Sequence, residues 1–260
     1  MEIKVLGCHG GETPKHRTSS FVLDGRLAID AGAITSGLTL REQNRLRAVL
    51  VSHAHMDHVR DLATLADNRC QTSTEPLQIA GTVGTLRVLR KHFFNGLIWP
   101  DFSKIPLCGT QAPTIEWLPL RFERAQDVAG YGVRAVKVSH TIESAAFIVE
   151  RGGHSIAYSG DTGPTERLWT VLGQTPTLRA IMMEVSFPDS MAKLAKVSGH
   201  HTPGTLARDL AKLRGEHNAR EMPVLAYHIK PAFQREVERE LARLRGLSLD
   251  VMALGDDLIV

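Results

Sequence analysis

Six consecutive residues of this sequence, His53-Ala54-His55-Met56-Asp57-His58, carry three imidazoles and a carboxylate one residue after the apolar run Ala48–Val51. Imidazole nitrogen and carboxylate oxygen are ligands that zinc, iron and manganese accept. Side chains two residues apart in an extended turn point the same way, so His53 and His55 can share one ion, and Asp57 and His58 then face a second. A chance histidine-rich loop would leave this spacing without a purpose. The cluster predicts a metal site at the end of a buried strand.

One short cluster cannot close two metal sites, so further ligands are expected at the ends of other strands. His140, Asp161 and His228 each follow a segment with the apolar pattern of a strand. These segments are residues 133–138, 155–160 and 224–227. A lone histidine after a strand is more often structural, but three ligand types at three strand ends, together with the six-residue cluster, favour convergence on one pocket.

This arrangement resembles the metallo-β-lactamase superfamily, in which a His-x-His-x-Asp-His motif is followed by a histidine, an aspartate and a histidine. The resemblance implies an α/β fold, an αββα sandwich of two mixed β-sheets with outer helices. It also implies two divalent metal ions, with zinc as the first choice and iron or manganese as alternatives. The ligands that it implies are His53, His55 and His140 for one ion, Asp57, His58 and His228 for the other, and Asp161 as the bridge.

Three longer stretches, Phe94–Phe102, Ser159–Thr165 and Glu184–Pro188, are similar to the class II 3′,5′-cyclic-nucleotide phosphodiesterases of that superfamily. This finer resemblance implies that the substrate is cyclic AMP, cyclic GMP or both, and that the product is a nucleoside 5′-monophosphate. Taken from its residues alone, the loop at 95–102 either lines a site or forms a packed turn.

The segment Ser198-Gly-His-His-Thr-Pro203 adds two histidines outside the set of seven ligands. Thr202 and Pro203 suit the start of a helix, which the sequence predicts to extend to Leu213. The phosphodiesterases have Gly-His-Leu-Thr-Pro here, so the resemblance makes His200 a candidate catalytic residue. His201 departs from the pattern, and we expect it behind the site or exposed. Lys230, within a His-Ile-Lys-Pro stretch that also resembles the family, is expected either near a phosphate or in solvent.

Two divalent ions a few ångströms apart generate a hydroxide at neutral pH and neutralise charge on a transferring phosphoryl group. A phosphodiester is therefore a natural substrate. Asp57 would orient the hydroxide or take its proton, and an acid would protonate the leaving alkoxide. We expect His200 to be that acid.

Composition narrows the remaining possibilities. The 260 residues are 43% hydrophobic and no linker-like segment divides them, which favours one domain over residues 1–260. The net charge of +3, with scattered Lys and Arg, does not indicate a stable nucleic-acid partner.

No signal peptide and no membrane span is expected. Three widely spaced cysteines indicate free thiols in a reducing cytoplasm, and we expect all three in the core. A homodimer is compatible with the sequence.

Two other functions stay open at this stage. A tRNA 3′-end endonuclease of the same superfamily carries a long RNA-gripping insertion between its counterparts of His140 and Asp161, where this chain has room only for a tight hairpin. A non-catalytic metal-binding regulatory module would show a lost ligand, and none is lost. A β-lactamase is disfavoured, because the second site would be built on Asp57 and His58 without a cysteine.

Several local features are also predicted. Asp24-Gly25 suits the tip of a hairpin whose second strand ends on Asp30. His9 and His16 are expected in a surface loop. Residues Arg87, Arg90 and Lys91 are expected on a solvated helix face, and the apolar spacing in 231–244 predicts an outer helix.

Overall fold

The computed structural model describes residues 1–213, 217 and 221–260, which form two seven-stranded β-sheets with helices around them. The first sheet contains β1 (Glu2–Gly7), β2 (Ser20–Leu23), β3 (Leu27–Ile29), β4 (Ala48–Val51), β5 (Leu77–Thr82), β6 (Ile115–Leu120) and β14 (Asp257–Ile259). The second contains β7 (Ala125–Val128), β8 (Tyr131–Lys137), β9 (Ala145–Arg151), β10 (His154–Tyr158), β11 (Leu178–Glu184), β12 (Val224–Tyr227) and β13 (Leu249–Val251). The helices are α1 (Ile34–Gly37), α2 (Leu40–Arg45), α3 (Met56–Val59), α4 (Leu62–Thr72), α5 (Val83–His92), α6 (Arg167–Gly173), α7 (Ala192–Ser198), α8 (Pro203–Leu210) and α9 (Gln234–Leu241).

The order of the strands explains why distant residues meet. The first sheet runs β14-β1-β2-β3-β4-β5-β6 and is parallel from β3 to β6. The second runs β13-β12-β11-β10-β9-β8-β7 and is parallel from β10 to β13, while β8 and β10 point the same way because both are antiparallel to β9. The carboxyl ends of β3 and β4 therefore share one sheet edge, and those of β8, β10, β11 and β12 share an edge of the other.

Three apolar cores hold the layers together. The central core combines inward-facing residues of both sheets, such as Phe21 and Leu50 from the first and Phe147 and Tyr158 from the second. An outer core packs α1, α4 and α5 on the first sheet, and another packs α6, α8 and α9 on the second. The resulting layers are helix, sheet, sheet and helix, which confirms the predicted αββα sandwich.

Local sequence signals explain the boundaries of several elements. Asp24 and Gly25 have left-handed φ angles of 48° and 65°, as tight hairpin turns require, and β2 pairs antiparallel with β3 across the three residues 24–26, as predicted. Thr202 caps α8 by accepting a hydrogen bond from the Thr205 amide, and Pro203 is the first helical residue. This helix ends at Leu210, three residues before the predicted end.

The C-terminal and basic helices follow the predicted faces. Helix α9 spans Gln234–Leu241 and follows a short 3₁₀ turn at Pro231–Phe233, with Val237 and Leu241 buried. Arg87, Arg90 and Lys91 are exposed on α5, which confirms the solvated face.

Predictions about the cysteines were wrong in part. Cys8 is buried, but Cys70 is only half-buried and Cys108 is exposed. The Cys108 amide donates to the Cys70 carbonyl oxygen over 2.8 Å. The backbone therefore holds the loop around Cys108 in place, and the Cys108 thiol remains in solvent. Of the three, only Cys8 is a core cysteine.

The prediction of a surface position was wrong for His9. This residue is 7% exposed and forms isolated bridges to Thr18 and Ile229, so it lies between two chain segments. His16 is half-buried, with its Nε2 2.7 Å from Gln234 Oε1. Neither histidine belongs to a candidate metal group among the described residues.

The loop after α5 packs against the first sheet. Asn95 Oδ1 accepts hydrogen bonds from the amides of Leu97 and Ile98, and Phe94 and Phe102 are buried in the outer core. Of the two alternatives for this loop, the packed turn is the one that these contacts support. In the described part of the chain, no helix is both long and apolar enough to cross a membrane.

Candidate metal centre

The six-residue cluster begins where the fully buried strand β4 ends. His53 follows it after Ser52 and is inaccessible to solvent, and His55 is the residue before α3. Asp57 and His58 lie in the single turn of α3, so their side chains project from the same short helix. The change from an extended turn to a helix within four residues divides the cluster into two groups.

The first group contains His53, His55 and His140, whose ring nitrogens all lie within 4.8 Å of one another. His55 Nδ1 is 3.1 Å from His53 Nε2 and 3.1 Å from His140 Nε2. His140 follows β8, and its Nδ1 faces the Gly199 carbonyl oxygen at 2.9 Å. A backbone acceptor at Nδ1 leaves Nε2 as the nitrogen that is free to bind a cation.

The second group contains Asp57, His58, Asp161 and His228. His58 Nε2 lies 3.3 Å from Asp161 Oδ1, and His228 Nε2 lies 3.3 Å from both Asp161 Oδ2 and Asp57 Oδ2. Asp161 Oδ2 is also 3.7 Å from His53 Nε2 in the first group. Asp161 therefore lies between the two groups, where a bridging ligand would have to be.

The donor set fits divalent cations. Asp161 is 2% exposed, and its buried Oδ1 accepts no hydrogen bond from any described residue. An ionised carboxylate oxygen without a donor is costly to bury, and a cation would compensate for that cost. Five imidazoles and two carboxylates are nitrogen and oxygen ligands of the kind that zinc, iron and manganese share.

Most pKa shifts in the centre match the protonation states that metal ligands need. His58 is the exception, because burial lowers its pKa but the Asp161 and Asp30 carboxylates outweigh this and raise it well above its usual range. Burial, with the nearby His58 charge, holds the pKa of His53 well below its usual range, and burial also lowers the pKa values of His55 and His140. Burial raises the pKa of Asp57, but the hydrogen bond from His228 and the His58 charge outweigh it, so the pKa is below its ordinary value. Neutral imidazoles and ionised carboxylates are the metal-binding forms.

Asp30, for which the sequence predicted only the end of a strand, orients His58. It is fully buried at the end of β3, and its Oδ2 lies 2.7 Å from His58 Nδ1. The same oxygen accepts hydrogen bonds from Ser52 Oγ at 2.7 Å and Tyr158 OH at 2.6 Å. With Nδ1 directed at this carboxylate, His58 Nε2 is directed at the candidate metal position.

Backbone strain accompanies two of these residues. Asp30 and His228 have φ angles of 54° and 66°, in the left-handed region that few non-glycine residues occupy. Both lie directly after a strand, and both have side chains directed into the centre. The strain is retained because the surrounding hydrogen bonds fix the backbone, and it marks functional positions in many proteins.

Glu184 and His200 form a second polar pair beside the centre. Glu184 Oε1 is 3.0 Å from His200 Nδ1, and both side chains are buried. Ser186 Oγ lies 3.1 Å from His200 Nδ1 and 2.9 Å from His228 Nδ1, so it connects the pair to the candidate ligands. The His200 ring stacks on His228 with centroids 5.5 Å apart. Burial lowers the pKa of His200, but the Glu184 carboxylate more than offsets this and raises it.

A family model for the beta-lactamase superfamily domain matches residues 26–224, which is most of the chain. The chain belongs to the beta-lactamase superfamily. Among curated proteins, a probable 3′,5′-cyclic-nucleotide phosphodiesterase of Yersinia pestis is 26% identical over 99% of this chain and 85% of its own length. A 3′,5′-cyclic-nucleotide phosphodiesterase of Aliivibrio fischeri is 28% identical over 82% of this chain and 73% of its own length.

Solved structures show the same fold. Yeast PDE1 superposes with a TM-score of 0.83 and 20% identity, covering 100% of this chain and 99% of that one. Among the curated proteins, a ribonuclease Z of Methanosarcina acetivorans is also similar, at 24% identity over 92% of this chain and 90% of its own length. The metallo-β-lactamase fold of this superfamily hydrolase implies that it binds divalent metal, in agreement with the clusters of histidine and aspartate.

The two residues with open roles lie at the edge of this superfamily centre. His201 is fully buried and not exposed, with its Nδ1 3.0 Å from Thr205 Oγ1 and its Nε2 3.7 Å from Asp209. These contacts give it a packing role at the start of α8. Lys230 Nζ donates to the Gly10 carbonyl oxygen over 2.8 Å and borders a cavity next to His228.

All seven predicted ligands and His200 thus lie together, whereas Asp30 and Glu184 were missed as functional residues. A usable signal was present for both. Each is an acidic residue at or directly after the end of a strand, in the same position relative to its strand as the predicted ligands.

Proposed function

We propose that the protein is a dinuclear-metal phosphodiesterase that hydrolyses 3′,5′-cyclic nucleotides, cyclic AMP or cyclic GMP, to nucleoside 5′-monophosphates. The observation that carries the proposal is the pair of ligand groups joined at Asp161. The names of the two bacterial relatives support the choice of substrate. Zinc is our first choice of metal, and iron and manganese suit the same donors.

In this proposal, His53, His55 and His140 hold one ion, Asp57, His58 and His228 hold the other, and Asp161 is shared. When bound, the two ions would lower the pKa of water and neutralise charge on the phosphoryl oxygens. The Asp57 side chain is 27% exposed, whereas that of Asp161 is 2% exposed, so Asp57 is the carboxylate that can reach an attacking water. Asp57 orients that water or takes its proton.

His200 donates a proton to the departing 3′ oxygen. Its Nδ1 is occupied by Glu184 and Ser186, so Nε2 is the ring nitrogen left to face a substrate. Glu184 fixes the ring orientation and stabilises the protonated form. The position of His200, stacked on His228 and 5.0 Å from the His140 ring centroid, places it over both candidate metal groups.

The tRNA 3′-end endonuclease remains the second candidate, because a ribonuclease Z is among the relatives. The observation against it is the connection between β9 and β10. These strands pair from Arg151 with His154, and only Gly152 and Gly153 join them, with φ angles of 61° and 76°. A two-residue turn leaves no room for an RNA-gripping insertion at that place.

Substrate turnover by the metal-loaded protein tests the proposal. The panel contains cyclic AMP, cyclic GMP, 2′,3′-cyclic nucleotides, a linear dinucleotide and a precursor tRNA. We expect the 3′,5′-cyclic nucleotides to be the preferred substrates, with 5′-monophosphates as products. Preference for precursor tRNA would overturn the proposal.

A further inference from the structure

A cavity of about 640 Å³ lies beside the candidate centre, on the side of His228. Its walls are largely apolar and come from three separate segments. Its lining includes Gly10, Gly11, Phe187, Pro231, Ala232 and Phe233. The volume is in the range of about 300–1,000 Å³ that is typical of sites for small organic ligands.

A continuous row of rings connects this cavity to the candidate ligands. His228 stacks on His200 at a centroid distance of 5.5 Å, His200 meets Phe187 at 5.7 Å, and Phe187 meets Phe233 at 5.8 Å. Phe187 is 7% exposed and held in place, whereas Phe233 is half-buried and presents part of its ring to the cavity. Phe187 would therefore be the one ring that separates a ligand in the cavity from His200.

The two glycines allow the segment at 10–11 to pack closely on the segment at 228–231. A Cβ on Gly10 would lie 2.5 Å from the His228 carbonyl oxygen and 2.9 Å from its Nδ1. A Cβ on Gly11 would lie 3.1 Å from the Pro231 ring. The Gly10 amide also donates to the Ile229 carbonyl oxygen over 3.1 Å, and Lys230 Nζ binds the Gly10 carbonyl oxygen. This wall of the cavity is thus formed by two chain segments that are held tightly together.

We propose that this cavity binds the nucleobase of the substrate, with Phe187 and Phe233 as the apolar surface on which the flat base lies. The assignment rests on the proposed function, because it needs a phosphodiester at the candidate centre. In a cyclic nucleotide one sugar ring separates the phosphate from the base. The lining of the cavity includes Lys230, which is two residues after the candidate ligand His228. Thr13 and His16 border the cavity, and their side chains are hydrogen-bonded to each other.

The cavity on the opposite side of the centre has a different character. It has a volume of about 770 Å³ and includes His140, but its lining carries the charged side chains of Lys137, Glu143 and Arg167. The faces of a nucleobase are apolar and uncharged. Aromatic surfaces bind such faces by stacking, whatever the base. Glu12 and Lys230 also border the cavity with Phe187 and Phe233, but its surface is mainly apolar, so of the two cavities it is the chemical match.

The test compares Phe233→Ala with the wild-type metal-loaded enzyme on two substrates, cyclic AMP and methyl riboside 3′,5′-cyclic phosphate, which lacks the base. We expect the variant to raise KM for cyclic AMP about tenfold with kcat changed less than about twofold. On the base-free substrate, kcat/KM should be the same for both enzymes. Phe233→Tyr, which keeps the ring, should restore the wild-type KM for cyclic AMP.

The matched control is Phe122→Ala, which removes another half-buried phenylalanine, one that packs against the central core. It should leave KM for cyclic AMP unchanged, and melting temperatures will report whether either variant loses stability. Equal losses on both substrates, or no loss on either, would overturn the assignment of the cavity. A wild-type enzyme that hydrolyses neither cyclic substrate would instead overturn the proposed function, and the assignment with it.

Discussion

Replacing His200 by alanine should slow the hydrolysis of cyclic AMP without removing metal. His200 is not one of the seven predicted ligands, although a ring nitrogen of it lies within 4.8 Å of donor atoms of His140 and Asp161, and its Nδ1 is held 3.0 Å from Glu184 Oε1. The departing 3′ oxygen is an alkoxide, a poor leaving group that needs a proton. General-acid help contributes about 10²–10⁴-fold, so we expect a loss in kcat of that order. This factor corresponds to about 3–5 kcal/mol of transition-state stabilisation.

The assay uses a second substrate to separate proton donation from binding. Bis(p-nitrophenyl) phosphate releases a nitrophenolate, which leaves readily without a proton. If His200 is the acid, His200→Ala should slow this substrate far less than cyclic AMP. The ratio of the two losses is therefore the measurement. Metal content, measured on the same samples, should be unchanged.

His201→Ala is the matched control, because it removes the neighbouring imidazole. His201 is buried against Thr205 and faces Asp209, so its loss should reduce stability and leave the ratio at its wild-type value. Equal losses on both substrates in His200→Ala would refute proton donation and assign His200 to phosphate binding or pocket shape. A loss confined to His201→Ala would mean that the wrong histidine of the pair has been chosen.

Three further predictions concern metal retention and pH. His55→Ala should lose at least one ion together with activity, because His55 Nδ1 is 3.1 Å from both other nitrogens of its group; metal analysis showing full occupancy would contradict this. Asp30→Asn should weaken metal affinity about 10–100-fold, since the amide no longer holds His58 Nδ1 as a carboxylate does; an unchanged affinity in a metal titration would contradict it. Glu42, hydrogen-bonded to the Thr39 amide and hydroxyl, has its pKa lowered from 4.5 to about 2, so it adds stability above pH 4.5 that is lost as the pH falls towards about 2. Glu42→Gln should lack this part of the acid dependence in chemical denaturation, and identical pH profiles for the two proteins would oppose it.

The candidate ligands could be located from the sequence because their signal is local. His53, His55, Asp57 and His58 are adjacent along the chain, and the other ligands follow strands whose pattern is readable. The order of the strands in the two sheets then brings these strand ends together. For this reason, the position of a residue after a strand was enough to locate the candidate ligands.

What could not be predicted depends on pairing between distant segments. The position of Asp30 after a strand could have marked it as a candidate, but its partner could not be predicted, because Asp30 contacts His58 only where β3 lies beside β4. His9 is buried because segments at Thr18 and Ile229 flank it, the second of them far away in the chain. The exposure of Cys108 follows from the path of an irregular loop that has no period to read.

The most direct test of the account is a metal titration of the stripped protein, followed by cyclic AMP turnover and metal analysis on the same samples. The account predicts that activity rises as zinc, iron or manganese is restored, reaches its maximum near two ions per chain, and yields 5′-AMP. A metal-free protein that hydrolyses cyclic AMP at the full rate would contradict it, as would a fully loaded protein that does not hydrolyse 3′,5′-cyclic nucleotides.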